Sequence, residues 1–205
     1  MTRIKICGNT RKEDVDLAVE LGVDLLGFIF GPSKRHVEVG QATALLADVP
    51  ENIERVGVFV DESPATIREA IDACGLTAVQ VYRGISDEDR GLGVTLLPAL
   101  RIRNGEDLDG LHFETMDHPL LDTWVSETAG GGTGQTWAWT RATQLARRYP
   151  IIVSGGLNPA NVAIAVERLK PWGVDVCSGV EAQPGQKDHA KLRAFVTAVR
   201  RADER

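Results

Sequence analysis

The chain has 205 residues, of which 43% are hydrophobic and 25% are charged, and its formal net charge is −6. This composition is ordinary for a soluble globular protein, and the acidic balance argues against nucleic acid as a partner. No apolar run approaches the roughly 18 residues of a membrane span, and the first residues do not resemble a signal peptide. The three cysteines are far apart and form no CxxC pair, so neither a disulfide framework nor a metal site is predicted. We therefore expect a cytoplasmic protein that binds neither membranes nor a metal ion.

The first strand and helix of the chain place a cysteine at a strand end. Residues 3–7 alternate between polar and apolar side chains, a period of two that predicts a short strand. Gly8 interrupts the pattern, and Thr10 and Glu13 then have the spacing of a capping box at the head of a helix. Cys7 is thus predicted at the carboxyl end of a strand, where ligands and chemistry collect in parallel α/β folds. A buried structural cysteine is the alternative interpretation.

Strand-like and helix-like segments alternate along the whole chain. The later strands are predicted at 24–30, 55–60, 77–82, 94–102, 118–123, 151–154 and 174–178. Helical patterns are predicted at 12–21, 41–46, 64–73, 139–148 and 188–201, with another helix capped by Asn158 and carrying Pro159 in its first turn. The fourth and fifth helices, within 84–93 and 105–116, are predicted to be short or irregular.

Eight β-α units in one chain predict a single α/β domain over residues 1–205, folded as a (β/α)8 TIM barrel. No shift in composition marks a domain boundary. An open, doubly wound sheet is the main alternative, because it is built from the same alternation of strands and helices.

Two glycine turns follow the last two predicted strands. Gly155 and Gly156 come after the seventh strand, and Ser178 and Gly179 come after the eighth. Backbone N–H groups at this position of a barrel often bind phosphate, and glycine allows the oxygens to approach closely. Either turn alone would be interpreted as an ordinary loop, but the two together predict a phosphate site.

Four charged residues complete the candidate site. Asp122 ends an apolar stretch, where it is a candidate for proton transfer or for a loop-bracing contact. Arg35 follows the second strand, where it could bind an anionic substrate group bidentately. Lys5 lies on the same face of its strand as Cys7, and Asp175 lies on the strand that a closed barrel would place beside it. We interpret Lys5 and Asp175 as a structural ion pair inside the barrel.

The motifs at the strand ends resemble those of the phosphoribosylanthranilate isomerase family of tryptophan biosynthesis. The resemblance extends along the whole chain, and the combination of motifs is more specific than any one of them. The motifs are KICG at 5–8, GFIF and SKR within 27–35, VGVFV at 56–60, LLDT at 120–123, GGTG at 131–134, SGGLNP at 154–159 and VDVCSGVE at 174–181.

This resemblance implies an Amadori rearrangement of N-(5-phosphoribosyl)anthranilate to the corresponding 1-deoxyribulose 5-phosphate. It implies that Cys7 is the general base, that Asp122 is the general acid and that Arg35 contacts the anthranilate end. No cofactor is expected, because the imine formed by ring opening is itself the electron sink. The expected partner is a small phosphorylated substrate, and the expected assembly is a monomer or a homodimer.

The chain departs from the family pattern at three positions. Tyr82 replaces the usual histidine, Ala138 replaces an aspartate between two aromatic residues, and Cys177 replaces a serine. Because Cys7 and Cys177 end neighbouring strands, a disulfide between them that would silence the enzyme is a further hypothesis. Two alternative functions are a lyase or synthase barrel acting on a related aryl or indole sugar phosphate, and a phosphate-binding barrel without catalysis.

Overall fold

The computed structural model describes residues 1–102, 108, 111–114, 117–123 and 142–205. Eight parallel strands form a closed barrel in which each strand pairs with the next and the eighth pairs with the first. The strands are Arg3–Ile6 (β1), Leu25–Ile29 (β2), Glu54–Phe59 (β3), Ala78–Val81 (β4), Thr95–Ile102 (β5), Leu120–Thr123 (β6), Ile152–Ser154 (β7) and Gly173–Val176 (β8). The predicted TIM barrel is confirmed, and the open sheet was wrong.

Helices surround the barrel, in the connections between strands and after β8. They are Lys12–Glu20 (α1), Val39–Leu46 (α2), Pro64–Cys74 (α3), Asp87–Arg90 (α4), Val162–Leu169 (α5) and His189–Asp203 (α6), and residues 142–146 are also helical. The short fourth helix is confirmed: α4 has four residues and is closed by a capping box between Ser86 and Asp89. The predicted fifth helix, within 105–116, lies largely outside the described residues.

Successive side chains along the strands belong alternately to two apolar clusters. The larger cluster joins strand residues such as Leu26 and Val79 to the helices. The smaller cluster contains alternate strand residues, among them Leu25, Leu97 and Ile152, and includes no helix residue. Because successive side chains of a strand point to opposite faces, the smaller cluster fills the barrel interior.

Two predicted helix caps were wrong. The Thr10 hydroxyl does not cap α1; it donates a hydrogen bond to the Gly185 carbonyl, in the loop that follows β8. Helix α5 begins at Val162 after Asn161, three residues later than predicted. The Asn158 side chain instead accepts a hydrogen bond from the Ala160 N–H, which holds a turn before the helix.

The connection after β8 contains structure that the sequence patterns did not indicate to us. A 3-10 turn over Ser178–Val180 leads into a small antiparallel hairpin, Glu181–Gln183 paired with Gln186–Lys187. Gly185 has a φ of +82°, which glycine adopts without strain. The hairpin folds over the barrel rim, as the contact between Thr10 and Gly185 shows.

Candidate active site

Cys7 lies immediately after β1, at the carboxyl rim of the barrel. Its backbone N–H donates to the Val176 carbonyl over 2.9 Å, and its side chain is buried. Gly27 of β2 makes room for it, because a Cβ at that position would lie 2.9 Å from the Cys7 Sγ and 3.2 Å from the Lys5 Nζ. The glycine therefore leaves the space that the thiol and the ammonium group occupy.

The surroundings of Cys7 favour its thiolate. A hydrogen bond from Cys177 and the positive charge of Lys5 lower the pKa of the Cys7 thiol to about 7, against the opposing effect of burial. The same hydrogen bond, together with burial, raises the pKa of Cys177 well above its ordinary value. Of the two neighbouring thiols, Cys7 is thus the one that ionises first, and it is the one that can act as a base near neutral pH.

Lys5 and Asp175 form the predicted ion pair inside the barrel. The Lys5 Nζ donates to Asp175 Oδ1 over 2.8 Å, and the Ser154 hydroxyl donates to Asp175 Oδ2 over 2.9 Å. Burial alone would lower the pKa of Lys5, but Asp175 and Cys7 raise it above the ordinary value. Lys5 therefore stays cationic and places a fixed positive charge beside the Cys7 thiol.

Asp122 lies on β6, two strands from β8, and is half-buried at the same rim. Burial and the negative charge of Asp175 raise the pKa of the Asp122 carboxyl, and a hydrogen bond from Tyr82 opposes that rise. The Tyr82 hydroxyl donates to Asp122 Oδ2 over 3.3 Å and accepts a hydrogen bond from the Gln80 amide over 3.2 Å. Tyr82, one of the departures noted in the sequence, thus contacts the proposed acid.

The two glycine turns lie against each other at the rim. Gly155 and Gly156 have φ angles of +85° and +67°, which turn the chain sharply after β7. At Gly179, a Cβ would lie 1.8 Å from the Leu157 carbonyl oxygen. Only glycine lets the loop after β8 approach the loop after β7 this closely, so backbone groups of both turns can face one ligand.

Arg35 also reaches the rim, where it is held by a partner that our sequence analysis missed. Its Nε and Nη2 donate to the two carboxylate oxygens of Glu181 over 2.8 and 2.6 Å. The buried Lys187 ammonium donates to Glu181 Oε1 over 3.2 Å and to the Cys7 carbonyl over 2.6 Å. The Pro184-Gly185 turn, between two short polar segments, was the available signal for the hairpin that carries Glu181 and Lys187.

The structure brings together most of the side chains that the sequence singled out. Lys5 pairs with Asp175 and lies beside Cys7, which in turn lies beside Cys177. Arg35 is adjacent, since a Cβ on Gly8 would lie within 3 Å of both Arg35 and Cys177. The GGTG segment at 131–134 and Ala138 lie outside the described residues. Among the residues that are described, no group of three or more His, Cys, Asp or Glu side chains could hold a metal ion.

Comparisons with known proteins identify the family. Residues 4–198 match the family model described as N-(5'phosphoribosyl)anthranilate (PRA) isomerase. An N-(5'-phosphoribosyl)anthranilate isomerase of Pelobacter propionicus is 41% identical over 198 residues, which are 96% of this chain and 94% of that protein.

Solved structures agree with the sequence match. The crystal structure of phosphoribosyl anthranilate isomerase from Thermotoga maritima is 36% identical with a TM-score of 0.86, covering 98% of this chain and 99% of that one. A second isomerase structure, in complex with reduced 1-(o-carboxyphenylamino)-1-deoxyribulose 5-phosphate, is 33% identical with a TM-score of 0.84 and the same coverage. The activity expected from the motifs, isomerisation of phosphoribosylanthranilate in tryptophan biosynthesis, is confirmed. The chain belongs to the N-(5'-phosphoribosyl)anthranilate isomerase family.

Proposed function

We propose that the chain converts N-(5'-phosphoribosyl)anthranilate into 1-(2-carboxyphenylamino)-1-deoxyribulose 5-phosphate with Cys7 as general base and Asp122 as general acid. The observation that supports these roles is the opposite perturbation of two groups on one barrel rim. The pKa of the Cys7 thiol is lowered to about 7, and the pKa of the Asp122 carboxyl is raised. Each shift favours the protonation state that its role requires.

The proposed steps follow from those protonation states. Asp122 gives its proton to the furanose ring oxygen as the bond from that oxygen to C1 breaks, and the anilino nitrogen keeps its hydrogen and forms a protonated imine with C1. The Cys7 thiolate then takes the proton from C2, and the imine accepts the electron pair to give an enolamine. Tautomerisation of the enolamine yields the ketone product. The enzyme returns to its starting state when Cys7 releases its proton and Asp122 regains one.

Two sets of contacts would hold the substrate. Backbone N–H groups of Gly155, Gly156, Ser178 and Gly179 bind the phosphate, because the two turns lie directly against each other. Arg35 binds the anthranilate carboxylate, since its guanidinium lies next to the Cys7–Cys177 pair. The two ends of the substrate are thereby fixed on either side of the reacting carbons.

The remaining expectations concern the protein as a whole. The chain acts as a single domain over residues 1–205, in the cytoplasm, as a monomer or a homodimer and without a cofactor. In the described part of the chain, no helix is long and apolar enough to cross a membrane. Size-exclusion chromatography with light scattering at several protein concentrations distinguishes the two oligomeric states.

The test of the function is direct turnover by the purified protein. Phosphoribosylanthranilate is fluorescent, and we expect its fluorescence to disappear at a rate proportional to the protein concentration. A lyase or synthase barrel would be expected to use a catalytic Lys or Glu at a strand end, whereas Lys5 is held by Asp175 over 2.8 Å. Tight binding of a substrate analogue without turnover would instead favour a non-catalytic barrel.

A further inference from the structure

The Glu181 carboxylate is buried at the barrel rim and connects several segments of it. It lies at the start of the hairpin after β8, and 4% of its side chain is exposed. It accepts hydrogen bonds from the Arg35 guanidinium, the Lys187 ammonium and the Gly185 backbone N–H. These donors come from the loop after β2, from the second strand of the hairpin and from the hairpin turn, so one carboxylate joins three segments of the rim. The Cys177 thiol, directly after β8, also donates to Glu181 Oε1 over 3.9 Å.

The geometry of the Arg35 pair determines which edge of the guanidinium remains available. Glu181 takes the Nε hydrogen and one Nη2 hydrogen, which form the side-on edge. Within the described residues, the Nη1 hydrogens and the other Nη2 hydrogen have no hydrogen-bond partner, and 21% of the Arg35 side chain is exposed. In the part of the chain that the structure describes, the end-on edge of the guanidinium is therefore unpaired, and it has the geometry that a second carboxylate can use.

The charges of the cluster also favour an incoming anion. Arg35 and Lys187 contribute two positive charges, and Glu181 contributes one negative charge. Burial alone would raise the pKa of Glu181, but Arg35 and Lys187 hold it below the ordinary value, so the carboxylate is ionised. The nearby Lys5 and Asp175 neutralise each other. Arg35, Lys187 and Glu181 together therefore carry one net positive charge.

From this geometry, we propose that Glu181 is a positioning residue for the isomerase reaction. It holds the side-on edge of Arg35 so that the end-on edge meets the anthranilate carboxylate, and it remains paired with Arg35 when the substrate is bound. Through Lys187, whose ammonium also donates to the Cys7 carbonyl, the same carboxylate fixes Arg35 relative to the base. This inference rests on the proposed role of Arg35 in binding the anthranilate end.

The competing arrangement predicts an effect of the opposite sign. If the substrate carboxylate displaced Glu181 from Arg35, then Glu181 would compete with the substrate, and removal of its charge would strengthen binding. If Glu181 positions Arg35, removal of its charge weakens binding. The direction of the change in KM therefore separates the two arrangements.

The experiment measures kcat and KM for phosphoribosylanthranilate in Glu181→Gln, Arg35→Ala and the double variant. We expect Glu181→Gln to raise KM about 10-fold, as loss of a charged hydrogen bond would, while kcat changes by less than about 3-fold. In the Arg35→Ala background the same substitution should have no further effect on KM, because the group that Glu181 positions is gone. An unchanged or lowered KM in Glu181→Gln would overturn the proposal.

A pair of inhibitors separates positioning from general loss of structure. Reduced 1-(2-carboxyphenylamino)-1-deoxyribulose 5-phosphate carries the carboxylate, and the matching phenylamino compound lacks it. Glu181→Gln should weaken inhibition by the first about 10-fold and leave inhibition by the second unchanged. Equal weakening of both compounds would mean that the rim had collapsed, and it would overturn the positioning role.

Two further measurements keep the result interpretable. If Glu181→Gln does not fold, Glu181→Asp retains the charge but is one methylene shorter, and it should weaken the carboxylate-bearing inhibitor selectively. Equal inhibition of Glu181→Asp and the wild type by that compound would count against the proposal. Turnover by the wild-type protein tests the proposed function separately. An inactive wild type would overturn both ideas, whereas an active wild type with unaltered Glu181 variants would overturn this one alone.

Discussion

The proposed mechanism needs Cys7 and Asp122 in opposite protonation states, and the barrel gives each residue a different environment. Cys7 is buried beside the Lys5 cation and accepts a hydrogen bond from Cys177, whereas Asp122 is half-buried and experiences the negative charge of Asp175. Asp175 therefore serves both groups: it holds Lys5 in place near the thiol and disfavours ionisation of the second carboxyl. The charge of Asp175 also opposes ionisation of Cys7, so the lowered pKa of that thiol depends on Cys177 and Lys5, and burial is the larger cause of the raised pKa of Asp122.

At the level of these two residues, we expect Cys7→Ser and Asp122→Asn to lower kcat by about 100- to 10,000-fold, the range typical of losing an acid-base group. The serine hydroxyl is far too weak a base, and the asparagine amide cannot donate the proton. The change in KM should be small, because neither side chain is proposed to hold the substrate. Steady-state fluorescence kinetics measures both constants, and a Cys7→Ser variant with near wild-type turnover would require a different base.

The pH dependence of kcat/KM follows from the same division of roles. In the proposed mechanism, activity requires the Cys7 thiolate, which is lost as the pH falls below about 7. It also requires the Asp122 acid, which is lost as the pH rises, although the raised pKa keeps it protonated to higher pH than an ordinary aspartate. The profile should be bell-shaped, and its two apparent pKa values should describe Cys7 and Asp122 together. A profile that kept rising at high pH would argue against an acid role for Asp122.

At the level of secondary-structure elements, the loops after β7 and β8 depend on each other. Gly179→Ala would place a Cβ 1.8 Å from the Leu157 carbonyl oxygen, so the two turns would have to separate. We expect KM to rise about 10- to 100-fold, since displacement of a binding group by about 1 Å is enough for such a loss. Gly156→Val should act in the same direction, because valine disfavours a φ of +67°.

The control for the loop variants is Gly40→Ala, in α2, where no atom lies within 4 Å of the added Cβ. Its KM should equal that of the wild type. Inhibition by inorganic phosphate supplies the direct measurement of the phosphate site. If Gly179→Ala bound phosphate as tightly as Gly40→Ala, the phosphate would have to be bound elsewhere.

The ends of β1 and β8 also bring two thiols together. Cys7 and Cys177 follow the paired residues Ile6 and Val176, and each thiol shifts the pKa of the other. Hydrogen peroxide would oxidise the Cys7 thiolate to a sulfenic acid, and the Cys177 thiol would then displace water to form a disulfide. We expect peroxide to inactivate the wild type and dithiothreitol to restore it, with the cross-linked peptide visible by mass spectrometry. Equal sensitivity of Cys177→Ser and the wild type to peroxide would contradict this.

At the scale of the whole molecule, the barrel is closed by the pairing of β1 with β8, and the Lys5–Asp175 ion pair crosses that seam. Because Asp175 also accepts a hydrogen bond from Ser154 on β7, one buried carboxylate connects three neighbouring strands. Lys5→Met should lower the free energy of unfolding by about 3–5 kcal/mol, since it leaves a buried carboxylate without its cation. Urea denaturation followed by circular dichroism measures this loss.

The comparison variant is Lys12→Met, which removes an exposed ion pair with Asp16 on α1. That change should cost far less stability than Lys5→Met, because water screens an exposed pair. Replacing both buried partners, in Lys5→Met with Asp175→Leu, should restore part of the lost stability. Equal stabilities of Lys5→Met and Lys12→Met would mean that the buried pair does not help to hold the barrel closed.

The sequence by itself determined the features that depend on neighbouring residues and on strand order. Alternating and continuous apolar segments predicted eight strands, because burial of one or both faces imposes those periods. Strand order in a closed barrel then placed Lys5 beside Asp175, and both are confirmed as a pair. Cys7 at the rim and the two glycine turns were likewise recognisable, because each lies directly at a strand end.

Only the tertiary structure decided the contacts between loops far apart in the chain. Arg35 and Glu181 are separated by 146 residues, and Lys187 reaches the Cys7 carbonyl across 180 residues. No local pattern encodes such a pair, because its geometry depends on how the hairpin after β8 folds over the rim. Thr10 and Asn158 illustrate the same limit, because each was predicted to cap a helix. The Thr10 hydroxyl instead donates to the Gly185 carbonyl, and the Asn158 side chain accepts from the Ala160 N–H in a turn. The strands follow from local burial patterns, whereas the charge arrangement that orients Arg35 follows from loop packing.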